Sequence, residues 1–282
     1  MNNYFACRGN DFNSNKIESI DFSNFDSSLV TDMEKLFFNC TTLKSIKISN
    51  LNTVNVVNMK EMFRFCNSLK SVDISNLDTR NVESMAQMFQ DCKNLESINI
   101  KNFDVSKVTD LSKMFINCAS LKSIYLSNFR TISAETMSQM FEGCTSLKSI
   151  DISNFVTTKV KDMTNMFYGC KALKSLNISN FVTTSVTSMN YMLYNCGSLI
   201  ILDISNFNIL GTTSANGILS GIYNLFCFNI YNTQDNEYIS KSQLNNENQI
   251  ENPFNVCQNT QIITNPKAIN TCDLEICNIY YY

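Results

Sequence analysis

Hydrophobic and polar positions repeat along this chain with one fixed period. The clearest copy is CTSLKSIDISNFVTTKVKDMTNMFYGC, residues 144–170. Cysteines stand at Cys40, Cys66, Cys92, Cys118, Cys144, Cys170 and Cys196, each 26 residues after the last. Two hydrophobic patterns alternate inside each unit. The first is L-K-S-I-x-I-S-N-F, as at residues 147–155, where apolar positions such as Ile46 and Ile48 flank a variable one such as Lys47. That period of two predicts a short strand. The second places Met85, Met88, Phe89 and Cys92 at i, i+3, i+4 and i+7, one apolar stripe of a two-turn helix. Before the stripe come Asp32, Asn58, Ser84, Asp110, Thr136, Asp162 and Ser188, all residue types that cap helix N-termini. Glu61, Gln87 and Gln139 stand three places after theirs and complete capping boxes.

A period in this range is the signature of a solenoid. The expected fold is an α/β solenoid, a curved leucine-rich-repeat array with one short parallel strand and one short helix per 26-residue coil. Strands of successive coils stack in register about 4.8 Å apart. Helices are wider than strands, so the strands are expected on a concave face. Residues 1–13 read as an N-terminal flank or cap. The solenoid spans 14–232, about eight coils and a final strand, with Ser14 in the first cysteine position. Residues 233–282 read as an Asn-rich tail or cap carrying Cys257, Cys272 and Cys277, where a disulfide is open. The expected core joins Ile46, Ile48, Ile74, Ile98, Ile124, Ile150 and Ile152 to the methionine and phenylalanine stripes, with Val82, Val108 and Val160 pointing inward.

The combination of M-F-x-x-C before the strand and S-N-F after it, repeated in phase over about residues 14–232, resembles the BspA-like leucine-rich repeat, also found in Mycoplasma-type lipoproteins. The resemblance implies a surface protein engaged in adhesion or in contact with host or matrix. It carries over no binding residue.

Composition narrows the chemistry. Histidine is absent, which excludes histidine triads, histidine bases and zinc sites with a histidine ligand. No nucleophile motif or phosphate-binding glycine loop occurs, so the chain reads as a non-enzyme without cofactor or metal. A net charge of −3 argues against a nucleic-acid surface. No apolar run is long enough for a transmembrane helix. The opening MNNYFACRGNDFNSNK lacks the pattern of a secretory signal, which keeps an intracellular scaffold as the alternative to a surface module.

Most repeated columns read as structural. Asparagine recurs at Asn24, Asn50, Asn76, Asn102, Asn128, Asn154, Asn180, Asn206 and Asn232, fit to satisfy the backbone of a buried turn. The column cysteines read as buried free thiols. Equivalent side chains in stacked coils stay too far apart for a disulfide, and a linear column cannot surround a metal. The strand face is the candidate functional surface, and its column Lys44, Lys70, Glu96, Lys122, Lys148, Lys174 is expected to be offset by aspartates such as Asp73 and Asp151. A second column is variable, and Tyr125 is its one aromatic residue in the regular coils. The binding site is therefore expected around Lys122, Tyr125, Lys148, Asp151, Lys174 and Asn177, with a protein or glycan as partner of a monomer.

Overall fold

The computed structural model describes residues 17–225 except 49, 205 and 208–213, and the backbone of short strands as far as residue 263. The expected N-terminal flank, Ser14 and the tail cysteines Cys257, Cys272 and Cys277 lie outside the described residues. The chain winds as a solenoid of 26-residue coils. Strands β1 (Ser19–Asp21) and β2 (Ser45–Lys47) pair in parallel and in register, Ser19 with Ser45 and Asp21 with Lys47. Strands β3 (Ser71–Asp73) and β4 (Ser97–Asn99) do the same. A third sheet joins β5 (Ser175–Leu176), β6 (Ile201–Asp203), β7 (Cys227–Asn229) and β10 (Gln261–Ile263). The hairpin of β8 (Tyr231–Asn232) and β9 (Glu237–Tyr238) intervenes in the chain and is antiparallel. Between β4 and β5, two coils carry no strand, and their strand-side rows meet at one bridge, Tyr125 to Asp151.

The expected helix is absent from every described coil. Tandem turns take its place. In the coil from Cys118, Met140 N–H donates to Met137 O, Glu142 to Gln139 and Cys144 to Phe141, each three residues back. The intervening amides leave the coil: Met137, Gln139, Phe141 and Gly143 donate to Asp162, Thr164, Met166 and Tyr168 of the next coil at 2.8–3.0 Å. The third residue of alternate turns has positive φ, 58° at Gln139 and 72° at Gly143, as a type II turn requires. The same two columns hold Lys35 and Asn39, Glu61 and Phe65, Gln87 and Asp91, Lys113 and Asn117, all at positive φ.

Spacing explains the outcome. Stacked phenylalanines on this side lie close together, Phe63–Phe89 at 5.2 Å, Phe89–Phe115 at 5.6 Å and Phe141–Phe167 at 5.5 Å, with planes within 8°. Helices need about 8–10 Å between axes. A helix per coil cannot fit a stack that advances by about one strand spacing. The reason for expecting curvature, helices wider than strands, goes with it. The capping types still work, but in turns: Asp110 Oδ1 accepts Ser112 N–H at 2.9 Å and Asp162 Oδ1 accepts Thr164 N–H at 2.8 Å. No capping box forms; Glu61 instead faces Arg64 at 2.8 Å and Lys35 at 3.4 Å. This capping column is the longest ladder among the described residues. Parallel pairs run unbroken from Asp32 through Asn58, Ser84, Asp110, Thr136, Asp162 and Ser188 to Ser214.

The core follows the expected columns. Ile48, Ile74, Ile98, Ile124, Ile150 and Ile152 are buried, as are Val82, Val108, Val160 and the paired methionines, while Ile46 is only half-buried. A buried hydroxyl column adds polar rungs that the hydrophobic pattern does not announce. Thr157 Oγ1 donates to Val182 O and accepts Val182 N–H, both at 2.8 Å, and Thr131 does the same for Val156 at 2.8 and 2.9 Å. Val105 interrupts the column, and there Arg130 N–H turns to Asn128 O instead.

Lys113 tests the turn assignment by sign. Its φ of 57° costs a side-chain-bearing residue about 1–2 kcal/mol that glycine avoids. After the entropy that glycine adds to the unfolded chain, Lys113→Gly is expected to stabilise by about 0.5–1 kcal/mol in urea unfolding. In a helix interior the same change would cost about 1 kcal/mol, so a loss of stability would restore the helix.

Candidate functional site

The repeated columns are occupied with holding the stack. Each thiol in the coils from Cys66 to Cys196 donates to the carbonyl of a phenylalanine in the coil before: Cys92 to Phe63 O at 3.1 Å, Cys118 to Phe89 O at 3.2 Å, Cys144 to Phe115 O at 3.2 Å. That oxygen also accepts an N–H from its own coil, as Phe89 O does from Cys92, so both its lone pairs are used. Cys66, Cys92, Cys118, Cys144, Cys170 and Cys196 are free and buried. Burial pushes Cys66, Cys144 and Cys196 up to about 12 and the others well above the ordinary thiol range. Cys40 departs from the expected free thiol, being disulfide-bonded. Among the described residues no three His, Cys, Asp or Glu side chains come together to hold a metal.

The asparagine column also binds coil to coil, but from outside. The turn is not buried; Asn50, Asn102, Asn128, Asn154, Asn180 and Asn206 are exposed. Asn102 Nδ2 donates to Ser75 O at 3.0 Å and Asn180 to Ser153 O at 3.0 Å, while Asn154 donates to Ser127 O and Asn206 to Ser179 O. Each amide clips one coil to the one before.

The face of short strands and its continuation through coils 118–169 is exposed along its outward-pointing columns. All six expected site residues lie on it, exposed, in three consecutive coils. Backbone bonds stack the lysines: Lys148 N–H donates to Lys122 O at 3.4 Å and Lys174 N–H to Lys148 O at 3.1 Å. The Tyr125–Asp151 bridge stacks the second column, and Tyr125 is 75% exposed. Asp151 Oδ1 accepts the Ser153 N–H at 3.0 Å and hydroxyl at 2.7 Å, and Asn177 Oδ1 accepts the Ser179 hydroxyl at 2.7 Å, so both also serve their own turns. Asp73 is bound by Ser75 in the same way, which holds its carboxyl below the usual range.

Charge compensation differs from expectation. Lysines pair along their own columns, one coil apart, and not with Asp73 or Asp151. Lys44 meets Glu18 at 2.8 Å, Lys47 meets Asp21 at 3.4 Å and Lys122 meets Glu96 at 2.6 Å. The Lys122 hydrogen bond and charge hold the Glu96 carboxyl below its ordinary range. Lys148 and Lys174 make no ion pair among the described residues. A second cluster lies on the turn side, where the Arg64 guanidinium sits 4.7 Å above Phe65 and bonds the buried Glu61. Its ion pairs lie within the cluster, Glu61 taking both Arg64 and Lys35, although Arg64 Nε is buried without a hydrogen-bond partner among the described residues.

Four overlapping segments, residues 1–124, 85–207, 119–230 and 151–262, match the family described as Mycoplasma protein of unknown function, DUF285. The chain belongs to the DUF285 family. The Mycoplasma-type repeat that M-F-x-x-C and S-N-F resemble is thereby confirmed. No curated protein matches this DUF285 chain. Solved structures similar to it include two leucine-rich repeat proteins. One is a leucine-rich repeat protein from Bacteroides ovatus, at 18% identity over 79% of this chain and 66% of that one, with a TM-score of 0.39. The other is a leucine rich cell surface protein from Faecalibacterium prausnitzii, at 20% identity over 76% of each chain, with a TM-score of 0.29. The DUF285 chain thus spans just under two thirds of the Bacteroides protein. Among its described residues no helix is long and apolar enough to cross a membrane.

The raised thiols give a pH dependence with a definite sign. Below the ordinary value of 9.0 the thiols are neutral in both states and their contribution is fully present. Between 9.0 and about 12 the unfolded chain loses protons that the folded one keeps, so stability falls as pH rises. The urea midpoint is expected to drop progressively above pH 9, and the drop to be smaller, though not abolished, in a Cys118→Ala/Cys144→Ala variant, where four raised thiols remain. A thiol reagent at neutral pH should label none of the six without denaturant; rapid labelling would refute their burial.

Proposed function

We propose that this DUF285 chain is a non-enzymatic interaction module of the cell surface, using the strand face of coils 118–195 to hold a protein or a glycan of the surroundings. One observation carries the reading. This face sets Tyr125, 75% exposed, among stacked lysines and hydroxyls. Tyrosine is favoured at interface hot spots, and charges at its rim steer encounter. Lys122, Tyr125, Lys148, Asp151, Lys174 and Asn177 form the proposed site.

The test is a binding screen against immobilised matrix proteins and glycans with wild type, a Tyr125→Ser/Lys148→Glu variant, and Tyr191→Ser on the turn side as control. The double variant should keep its Tm and lose about 2 kcal/mol of binding, roughly thirtyfold. The control should bind as wild type. Equal affinity for all three would remove the site from this face.

A further inference from the structure

From the charge pattern on this face, and resting on the reading above, we infer that its ligand is a linear anionic polysaccharide lying along the solenoid axis over coils 118–195. Among the described residues the lysine column reads Glu18, Lys44, Lys70, Glu96, Lys122, Lys148, Lys174, Ile200. In its lower part a carboxylate adjoins every lysine: Glu18 bonds Lys44, and Glu96 lies between Lys70 and Lys122, bonding Lys122. Above Lys122 no carboxylate stands next to a lysine in the column. Lys148 and Lys174 are adjacent rungs joined by a backbone bond of 3.1 Å, and neither makes an ion pair among the described residues. Like charges directly opposed across a ladder are destabilising. In the lower part each pair of lysines has a Glu next to it to offset that cost, Glu18 bonding Lys44 and Glu96 bonding Lys122 beside Lys70. Two successive lysines left without it mark a place where the negative charge comes from outside. Glu96 at one end and Ile200 at the other bound the place.

The surroundings separate a sugar chain from an acidic protein. A protein interface is organised around buried aromatic and aliphatic anchors. Within coils 118–195 the exposed strand-face positions offer one such residue, Tyr125; around it are Ser123, Ser127, Ser149 and Ser153, with Asn154 and Asn177 beyond. Rows of hydroxyls and amides at a constant step suit a ligand that is itself a row of hydroxyls with anionic groups at intervals. Tyr125 offers a ring for the carbon face of a sugar. Asp151 is the one carboxylate among these positions, and its Oδ1 is bound by Ser153.

Calorimetry of the full chain with size-defined heparin fragments, neutral dextran, polyglutamate and a single-stranded oligothymidine tests the assignment. Heparin should bind, weaken as salt is raised, and exceed polyglutamate and oligothymidine by at least tenfold. Dextran should not bind. Lys148→Gln/Lys174→Gln should reduce heparin affinity more than tenfold while its Tm holds or rises, because the like-charge rungs are gone. Lys159→Gln/Lys171→Gln, off this face, should leave binding unchanged. Equal binding of all polyanions, or indifference to the Lys148/Lys174 change, would overturn the proposal. If a matrix protein binds through Tyr125 and Lys148 and heparin does not, the glycan assignment falls while the use of this face stands.

Discussion

Each coil of this protein gives part of its backbone hydrogen bonding to the next, and the peptide group sets the step. Gln139, Phe141 and Gly143 donate to Thr164, Met166 and Tyr168 at 2.8–2.9 Å, and the phenylalanine rings of that side stack at 5.0–5.6 Å. Everything else conforms to that step. A helix keeps its amides to itself and is too wide for it. Tandem turns release every second amide to the neighbouring coil, at the cost of two left-handed residues per coil. Asn39, Asn117 and Asn195 meet that demand with a residue that tolerates it, and Gly143, Gly169 and Gly221 without a side chain to strain. Gly221 has a second reason, because a Cβ there would lie 2.9 Å from the Asn195 Cα.

The same step turns each repeated residue into a coil-to-coil bond. Thiols reach a carbonyl one coil back, Thr157 clasps both polar groups of Val182, and asparagines clip the outside. These columns tolerate little change because each rung has a carbonyl waiting. Columns without that duty vary, and the strand face holds several of them. On this face the departure from regularity is electrostatic, two successive lysine rungs, Lys148 and Lys174, with no carboxylate next to them in the column.

The hydrophobic pattern could not tell a helix from a stack of turns. Met85, Met88, Phe89 and Cys92 are all fully buried, as an apolar stripe predicts, yet they sit in turns. Spacings of three and four fit both, since a turn returns the chain to the same side after about as many residues as a helical turn does. The capping column was equally ambiguous, because Asp162 uses the same short-range bond to Thr164 in either setting. The glycines Gly143 and Gly169 were the signal for left-handed backbone, but the same column holds Phe65 and Asp91, which conceal it.

The sequence by itself determined the period, the parallel register and the identity of the core columns, because a repeat of 26 residues places equal residues one above another whatever their local conformation. It also placed the six proposed site residues on one face. Only the tertiary structure decided between helix and turns, found the longest ladder among the described residues at the capping column and not at the strands, and showed which lysines are paired. Those outcomes depend on the distance between coils, which no single coil contains.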